Sequence, residues 1–505
     1  MRPRHTSALS RLLSAADNGV SRNLTAAIAD VSAPASAPLP TTAPLESSMF
    51  KLSKLSKGRS SCIVSRSRHL PESFKSYKGR LFLYKNPAQY LGVRVSAATF
   101  STVAPPASNS ASDSAEMAQV TGQSAPKNSA WAGSAGAGGY DLRSDTMTTP
   151  TPSMLTAIQS CSLLDDVFNE DPTTIDLEAH CAALTGKEAG LFVLSGTMGN
   201  QLALRSLLTQ PPHGVLCDYR SHIVKYEAGG VSSLTGATLK PVAPKNGIYL
   251  TLEDVKANAY LDDDVHTCPT RVISLENTLN GMIMPLEEVK HISAFAREHD
   301  IKLHCDGARL WEAVASGAGS LAEFASYFDT VSLCFSKGLG APIGSILVGT
   351  KALIKHARWV RKSIGGGLRQ PGLVTAPARV AIDETFGKGP NGEGGLLRET
   401  HVLAKDVAKI WTDLGGKLEY PVHTNMVWLD LDDAKCPGAR LEELGKEVGL
   451  RFMGNRLVIH FQILENCHFV VPRLEAIFKT VLGEKGKNSA TFEGADGEAS
   501  MYGAQ

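Results

Sequence analysis

The stretch FDTVSLCFSKGLGAPIGSILVG, residues 328–349, decides the fold class. Two short apolar runs lie on either side of a Gly-rich turn, and each run has the length and composition of a buried β-strand. On the N-terminal side of this stretch, further short apolar runs alternate with helical patterns. This alternation predicts a mostly parallel α/β sheet that binds its ligands beside the carboxyl ends of the strands.

The alternation extends outward from this stretch over residues 140–383. Strand-like runs lie at 214–218, 271–277 and 301–306, and helical patterns lie at 176–189 and 285–299. We expect this part to form a large α/β domain. The following part has a different pattern, which predicts a smaller α+β domain over residues 384–484 and a loose tail over 485–505.

Composition excludes several classes of protein. The chain has 505 residues, 43% of them hydrophobic, and contains no run of 18 or more apolar residues, so a helix that spans a membrane is not expected. Nine cysteines without a CxxC motif indicate a reduced intracellular protein rather than a disulfide scaffold or a zinc module. The net charge of +1 argues against a dedicated nucleic-acid binder.

Charge is distributed unevenly along the chain. Residues 1–112 carry a net charge of about +11, and residues 113–505 carry about −10. Residues 95–139 consist mostly of Ala, Ser, Gly, Thr and Pro, so we expect residues 1–139 to be a disordered leader. The Arg- and Ser-rich start fits a transit peptide, and the alternative is an over-long gene model that begins naturally at Met49 or Met117. The expected compartment is the cytoplasm, or the mitochondrion if translation begins at Met1.

Several common catalytic signatures are absent from the sequence. In LTGKEAG the residue after Gly186-Lys187 is Glu188 instead of Ser or Thr, so this is no P-loop. The turn at 338–344 lacks the spacing of a dinucleotide fingerprint, and no HExxH or GxSxG motif occurs. Readings as a nucleotide-binding protein, a zinc protease or a serine hydrolase therefore lose support.

Three polar features follow apolar strands in an informative order. The segment LSGTMGN at 194–200 could hold a phosphate with backbone amides, Asp306 closes a buried strand, and Lys337 precedes the Gly-rich turn. We expect burial to lower the pKa of Lys337, because it disfavours the charged form, and a neutral amine can form a Schiff base. Taken singly, each feature is more often a helix cap, a turn or a surface residue. Together they supply the amides, the anion and the amine that pyridoxal phosphate requires.

Residues 140–375 resemble a known family, the low-specificity L-threonine aldolases, which are fold-type I pyridoxal phosphate enzymes. The resemblance extends through NRLVIHFQ into the smaller domain. It is carried by the stretches YDLRSDTMTTPT, SGTMGNQLAL, CDYRSHIVKYEAGG, RVISLENTLNG, LHCDGARLWEA, SLCFSKGLGAPIGSILVG and GGGLRQ.

The resemblance implies which residues hold the cofactor. Lys337 is expected to form the covalent bond to pyridoxal phosphate, and Asp306 to pair with its ring nitrogen. Gly196 and Thr197 are expected to bind the phosphate. Arg369 is expected to reach the phosphate of a neighbouring subunit in a homotetramer, a dimer of dimers.

The resemblance also implies residues that act on the substrate. His222 is expected to stack on the cofactor ring and to accept a proton from the substrate hydroxyl. Ser144, Arg309 and Arg456 are expected to hold the substrate carboxylate, since the planar fork of Arg matches a carboxylate. Arg309 could instead pair with an acid along its helix. His304 and His460 are interpreted as core residues, and no metal site is predicted.

Two positions depart from the family pattern. Leu279 stands where some relatives have a His that can contact the substrate hydroxyl, which favours loose specificity. Phe168 and Asn169 stand where relatives commonly have Tyr and Gly, so any contribution of a tyrosine hydroxyl would be missing.

Three functions stay open at this stage. The preferred one is cleavage of L-threonine or L-allo-threonine to glycine and acetaldehyde. The second is an amino-acid racemase or a β-eliminating lyase on the same scaffold, and the third is a non-catalytic interaction protein with a basic arm.

Overall fold

The computed structural model describes residues 137–484, and the expectations for residues 1–136 and 485–505 lie outside the described residues. The strands are β1 (Ala189–Val193), β2 (Gly214–Asp218), β3 (Thr238–Val242), β4 (Thr270–Glu276), β5 (Lys302–Asp306), β6 (Thr330–Cys334), β7 (Ser345–Gly349), β8 (Met426–Trp428) and β9 (Arg456–Val458).

Helices connect these strands. The α-helices are α1 (Pro152–Ser160), α2 (Pro172–Thr185), α3 (Gly196–Leu207), α4 (His222–Lys225), α5 (Gly230–Thr235), α6 (Leu252–Asn258), α7 (Leu286–Glu298), α8 (Leu310–Ala315), α9 (Leu321–Ser326), α10 (Lys351–Ser363), α11 (Gly372–Ala381), α12 (Gly395–Asp413), α13 (Gly438–Glu447), α14 (Phe461–Glu465) and α15 (Cys467–Glu484). Short 3-10 helices lie at Ala137–Tyr140, Asp145–Met147 and Pro390–Gly392, and a π-helical turn lies at Ile382–Phe386. In the part of the chain that the structure describes, no helix combines the length and the apolar character needed to cross a membrane.

The main sheet has seven strands in the order β1-β7-β6-β5-β4-β2-β3. Strand β7 runs antiparallel to β1 and β6, and the other neighbouring strands pair in parallel. The reversal of β7 has a physical cause, because the ten residues 335–344 that precede it are too few for a parallel crossover. The predicted α/β fold with a mostly parallel sheet is confirmed.

The helix predicted at 176–189 lies four residues earlier, as α2. Asp171 caps its start by accepting a hydrogen bond from the backbone N–H of Thr174, and Pro172 occupies the first helical turn. Gly186 ends the helix with a φ of +63°, a conformation that glycine adopts without strain. The caps, rather than the apolar spacing, set these bounds.

The two largest of the apolar clusters lie against the two sheets. The larger core packs around the central strands of the main sheet and includes Phe192, Ile273 and Phe335. The other includes Trp411, Val427 and Phe478 and lies around the antiparallel pair β8 and β9. Leu142 belongs to this second core although it lies early in the chain. The division near residues 383 and 384 stays a prediction.

Strand polarity places the polar features at one edge. Strands β1, β4, β5 and β6 are parallel to one another, so their carboxyl ends meet at the same edge of the sheet. In register, Glu276 at the end of β4 lies opposite Asp306, and Asp306 lies opposite Ser332 of β6. The turn with Lys337 follows β6 at this edge.

Candidate active site

A cleft with about 530 Å³ of empty space opens at the carboxyl edge of the main sheet. It brings together Gly196, His222, Asp306, Arg309, Lys337 and Arg456 from the residues expected in the site. The cleft is also lined by Asn200, Arg220, Tyr226, Glu276, Leu279, Asn280, Ala308 and Met426. Residues from β9 and from the loops after β1, β2, β4, β5 and β6 therefore converge on one space.

Lys337 lies three residues after β6, in the turn that reverses the chain into β7. Burial lowers the pKa of its amine, as expected, but Cys334, Asp306 and Asp145 act in the opposite direction and raise it above its usual value. The expectation of a lowered pKa is therefore wrong, because it considered burial without the neighbouring carboxylates. The amine carries a proton that it must lose before it can attack a carbonyl.

Gly196 and Thr197 form the first turn of α3, directly after β1. Ser195 caps the helix, and its hydroxyl accepts the backbone N–H of Met198 at 3.1 Å. A Cβ atom at Gly196 would lie only 2.8 Å from the sulfur of Cys334, so glycine is needed for this close approach. The start of α3 thus presents backbone amides to the cleft, an arrangement that favours a bound phosphate.

Asp306 is 5% exposed and accepts two hydrogen bonds. The side-chain amide of Asn200 donates to Oδ2 at 2.6 Å, and the backbone N–H of Ala308 donates to Oδ1 at 3.1 Å. These two hydrogen bonds fix the orientation of the carboxyl group at the end of β5.

His222 begins α4 and faces the cleft, and its Nδ1 lies 2.8 Å from Oε1 of the fully buried Glu227. Burial lowers the pKa of the imidazole, but Glu227 and Asp306 outweigh it and hold the pKa above its usual value. Asn200 also donates to Oε1 of Glu227, at 2.9 Å.

His222, Glu227 and Asp306 place ligand atoms within 4.8 Å of one another, a grouping that could hold a metal ion. Asn200 donates to both carboxylates and His222 bonds to Glu227 directly, and these hydrogen bonds account for the proximity.

Glu276 ends β4 and accepts the backbone N–H of His222 at 2.8 Å. Burial and the nearby charge of Asp306 raise its pKa to about 8. At neutral pH this carboxyl group is therefore mostly protonated.

Arg309 lies in the cleft, but two of its nitrogen atoms bind Asp145. Its Nε lies 2.8 Å from Oδ2 and its Nη2 lies 2.6 Å from Oδ1, which is a bidentate pair. The two residues lie 164 positions apart in the chain. This partner of Arg309 is therefore not an acid on the same helix, which was the alternative expected from the sequence. Burial raises the pKa of Asp145, but the charge and the hydrogen bonds of Arg309 outweigh it and lower the pKa to about 2.

Of the other two residues expected to bind substrate, Arg456 lines the cleft and Ser144 does not. Ser144 is buried and caps the 3-10 helix at 145–147 by accepting the backbone N–H of Thr146. Arg456, at the start of β9, lines the cleft and donates to the backbone carbonyl of Arg143 at 2.9 Å. The structure does not place Ser144 among the residues that line the cleft.

Arg369 lies on the surface of this subunit and is paired with Asp165 at 2.7 Å. It is not among the residues that line the cleft of its own chain. Its action on a neighbouring subunit, and the homotetramer, stay predictions.

The two departures from the family pattern lie in different places. Leu279 is 5% exposed and lines the cleft. Phe168 is 71% exposed and does not line the cleft of this chain. A change at residue 279 therefore alters the cleft directly, whereas a tyrosine at residue 168 would add no hydroxyl to the cleft of its own subunit.

Sequence analysis missed Asn200, Glu227, Glu276 and Arg220 as cleft or supporting residues. Asn200 belongs to the quoted SGTMGN segment, and Glu227 follows His222 within the quoted RSHIVKYE segment. Glu276 could have been found by the same argument as Asp306, since each closes a buried strand. Arg220 pairs with Asp218 at the end of β2, where a charge also follows an apolar run.

Comparison with known proteins agrees with this geometry. The model of the beta-eliminating lyase family matches residues 141–434. An aldolase of Penicillium aethiopicum, named vrtJ, is 56% identical over 69% of this chain and 87% of its own length. A protein of Cochliobolus carbonum named alanine racemase TOXG is 46% identical, over 72% and 93% respectively. A low-specificity L-threonine aldolase of Candida albicans is 48% identical, over 64% and 85%.

A solved structure extends the comparison to the fold. The threonine aldolase of Leishmania major matches with a TM-score of 0.57 at 21% identity, over 68% of this chain and 99% of that one. The sheet and the cleft define a pyridoxal phosphate-dependent lyase of fold-type I. The chain belongs to the beta-eliminating lyase family, and the resemblance to low-specificity L-threonine aldolases is confirmed.

The residues at the sheet edge fit this cofactor. An amine, an anionic carboxylate and a helix N-terminus without a side chain at Gly196 face one cleft, and these groups match the aldehyde, the ring nitrogen and the phosphate.

Proposed function

We propose that this enzyme cleaves L-threonine and L-allo-threonine to glycine and acetaldehyde. The observation that carries the proposal is the convergence of Lys337, Asp306 and His222 on one cleft. These groups supply the amine, the anion and the base that breakage of a Cα–Cβ bond next to a hydroxyl requires. The aldolase names of two relatives support the same reaction.

The residues that would hold pyridoxal phosphate are Lys337, Asp306, Gly196, Thr197 and His222. When bound, the cofactor supplies an electron sink for a bond broken at Cα. Asp306 would pair with the ring nitrogen, and hydrogen bonds from Asn200 and Ala308 hold its carboxyl group at the sheet edge. Lys337 gives up a proton before it bonds to the cofactor, because only a neutral amine attacks a carbonyl.

His222 is the proposed base for the substrate hydroxyl. Glu227 occupies Nδ1, which leaves Nε2 as the ring nitrogen that can accept a proton. Transfer of the β-hydroxyl proton to Nε2 accompanies breakage of the Cα–Cβ bond, and acetaldehyde leaves. Cα then takes up a proton, and glycine is released.

Arg309 and Arg456 are the proposed contacts for the substrate carboxylate. Both line the cleft, and protein oxygen atoms hold both guanidinium groups, from Asp145 and from the backbone of Arg143. A guanidinium group that is already oriented loses little entropy when it binds a carboxylate. Ser144 supports the segment that carries Asp145. Fixing the carboxylate selects which bond at Cα is aligned for breakage.

A product assay tests the proposal. Purified enzyme should show a visible absorbance band from bound cofactor, and Lys337→Ala should remove it. With either diastereomer of threonine, acetaldehyde and glycine should appear in equal amounts. Absence of the band from the wild-type protein, or of acetaldehyde from both reactions, would overturn the proposal.

The second candidate is a racemase or a β-eliminating lyase on the same site. It is favoured by the relative named alanine racemase and by the family name. A racemase would convert L-alanine to D-alanine, and a β-eliminating lyase would release ammonia and a 2-oxo acid. Either product, formed faster than acetaldehyde, selects the second candidate.

A further inference from the structure

His304 lies in the middle of the main sheet with no exposed surface, two residues before Asp306. Both of its ring nitrogen atoms have partners. Nδ1 lies 2.9 Å from the hydroxyl of Thr330, its register neighbour on β6, and Nε2 lies 3.1 Å from the side-chain oxygen of Asn200.

The neighbours of Asn200 and His304 determine which of their side-chain atoms donate hydrogen bonds and which accept them. The nitrogen of the Asn200 amide must face Asp306 and Glu227, because both carboxylates only accept hydrogen bonds. The amide oxygen then faces His304, which must donate from Nε2. Nδ1 therefore accepts a hydrogen bond from the hydroxyl of Thr330. Burial lowers the pKa of His304 to about 4, so the ring stays neutral, as this arrangement requires.

We propose that His304 and Thr330 are positioning residues that lock the Asn200 amide, so that its nitrogen always faces Asp306 and Glu227. A rotated amide would place its oxygen against two carboxylates, and Asp306 would lose the 2.6 Å hydrogen bond that orients it. The lock thus reaches the cofactor nitrogen through Asn200 and Asp306. This inference rests on the proposed role of Asp306, and it holds whichever amino acid is the substrate.

Two variants of the holoenzyme test the lock. His304→Phe keeps a flat ring and removes both nitrogen atoms, and Thr330→Val removes only the hydroxyl. For His304→Phe we expect kcat per bound cofactor to fall about 10- to 100-fold, as for other residues that orient a ligand contact. KM should change little. Cofactor should dissociate faster, and the pH midpoint of its visible band should move. Thr330→Val should change the same quantities less, and Thr330→Ser should restore them.

Ser332→Ala is the matched control. Ser332 lies on the same strand as Thr330, opposite Asp306, and its buried hydroxyl has no hydrogen-bond partner in the described residues. This variant removes a buried hydroxyl beside Asp306 and leaves the lock intact, so kcat, cofactor release and the pH midpoint should stay as in the wild type.

The proposal is overturned if His304→Phe and Thr330→Val only lower the melting temperature and leave those three quantities at the Ser332→Ala values. If His304→Phe does not fold, Thr330→Val and its rescue by Thr330→Ser decide the matter. Failure of the proposed function would look different, since the wild-type protein itself would then lack the cofactor band or form no acetaldehyde.

Discussion

Two carboxyl groups, the half-buried Glu276 and the buried Asp306, end neighbouring strands in register, yet their surroundings differ. Asp306 accepts hydrogen bonds from the Asn200 side chain and from the backbone N–H of Ala308. Glu276 accepts the backbone N–H of His222, and burial together with the charge of Asp306 raises its pKa to about 8. Position at the sheet edge brings a carboxyl group to the cleft, but for Glu276 burial and the charge of Asp306 outweigh the hydrogen bond from His222 and raise the pKa.

The largest expected effect separates the two carboxyl groups by function. Asp306→Asn should lower kcat roughly 10³-fold, in line with the removal of a fixed charge or donor that stabilises developing charge. Glu276→Gln should lower kcat less than about fivefold at pH 7, because the carboxyl group is already mostly neutral there. Steady-state kinetics at pH 7, corrected for bound cofactor, gives both values. Equal losses in the two variants would refute the contrast.

A third carboxylate, the buried Asp145, sharpens the comparison, because it has a full cationic partner in Arg309. Asp145→Asn should lower the free energy of unfolding by about 3 kcal/mol, since it leaves a buried guanidinium without its anion. Urea unfolding at pH 7 measures this loss. Asp264→Asn serves as a control, because Asp264 pairs with His266 on the exposed surface and its loss should cost little.

The pair of Arg309 and Asp145 should also make the free energy of unfolding depend on pH in the acidic range. The pKa of Asp145 is about 2 in the folded protein against an ordinary value of 3.8, so the pair stabilises the fold fully above pH 4. This stabilisation should be lost as the pH falls toward 2. The unfolding free energy of Asp145→Asn should therefore fall less steeply between pH 4 and pH 2 than that of the wild type, and parallel curves would contradict the assignment.

These carboxyl groups also show what could be predicted from the sequence. Alternating strand and helix patterns predicted the sheet, and a charged residue after an apolar run located Asp306 and Lys337 at its edge. The raised pKa of Lys337 and the Arg309–Asp145 pair depend on contacts between segments far apart in the chain, which no local pattern contains. His304 was interpreted as core for the same reason, since its partners lie on α3 and β6.

The next effect concerns stability at alkaline pH. The folded protein keeps the proton of Glu276 up to about pH 8, whereas the unfolded chain releases it near the ordinary value of 4.5. The neutral carboxyl group thus stabilises the fold most at low pH, and this contribution is lost as the pH rises toward 8. Between pH 6 and pH 9 the wild type should lose about 2 kcal/mol more unfolding free energy than Glu276→Gln. Identical losses in chemical denaturation would show that Glu276 is already ionised at pH 6.

The smallest expected effect concerns His222, whose backbone N–H donates to Glu276. If it is the base, activity should rise with pH and reach half its plateau above pH 6.5, because Glu227 and Asp306 outweigh burial and raise its pKa. Glu227→Gln keeps an acceptor for Nδ1 and removes the charge, and Gln201 can turn its unpaired Oε1 toward the new amide. The acidic limb should move to lower pH, and the ratio of kcat at pH 6 to kcat at pH 8 should rise about threefold. An unmoved limb would assign the base to another group, and Asp264→Asn should leave the profile unchanged.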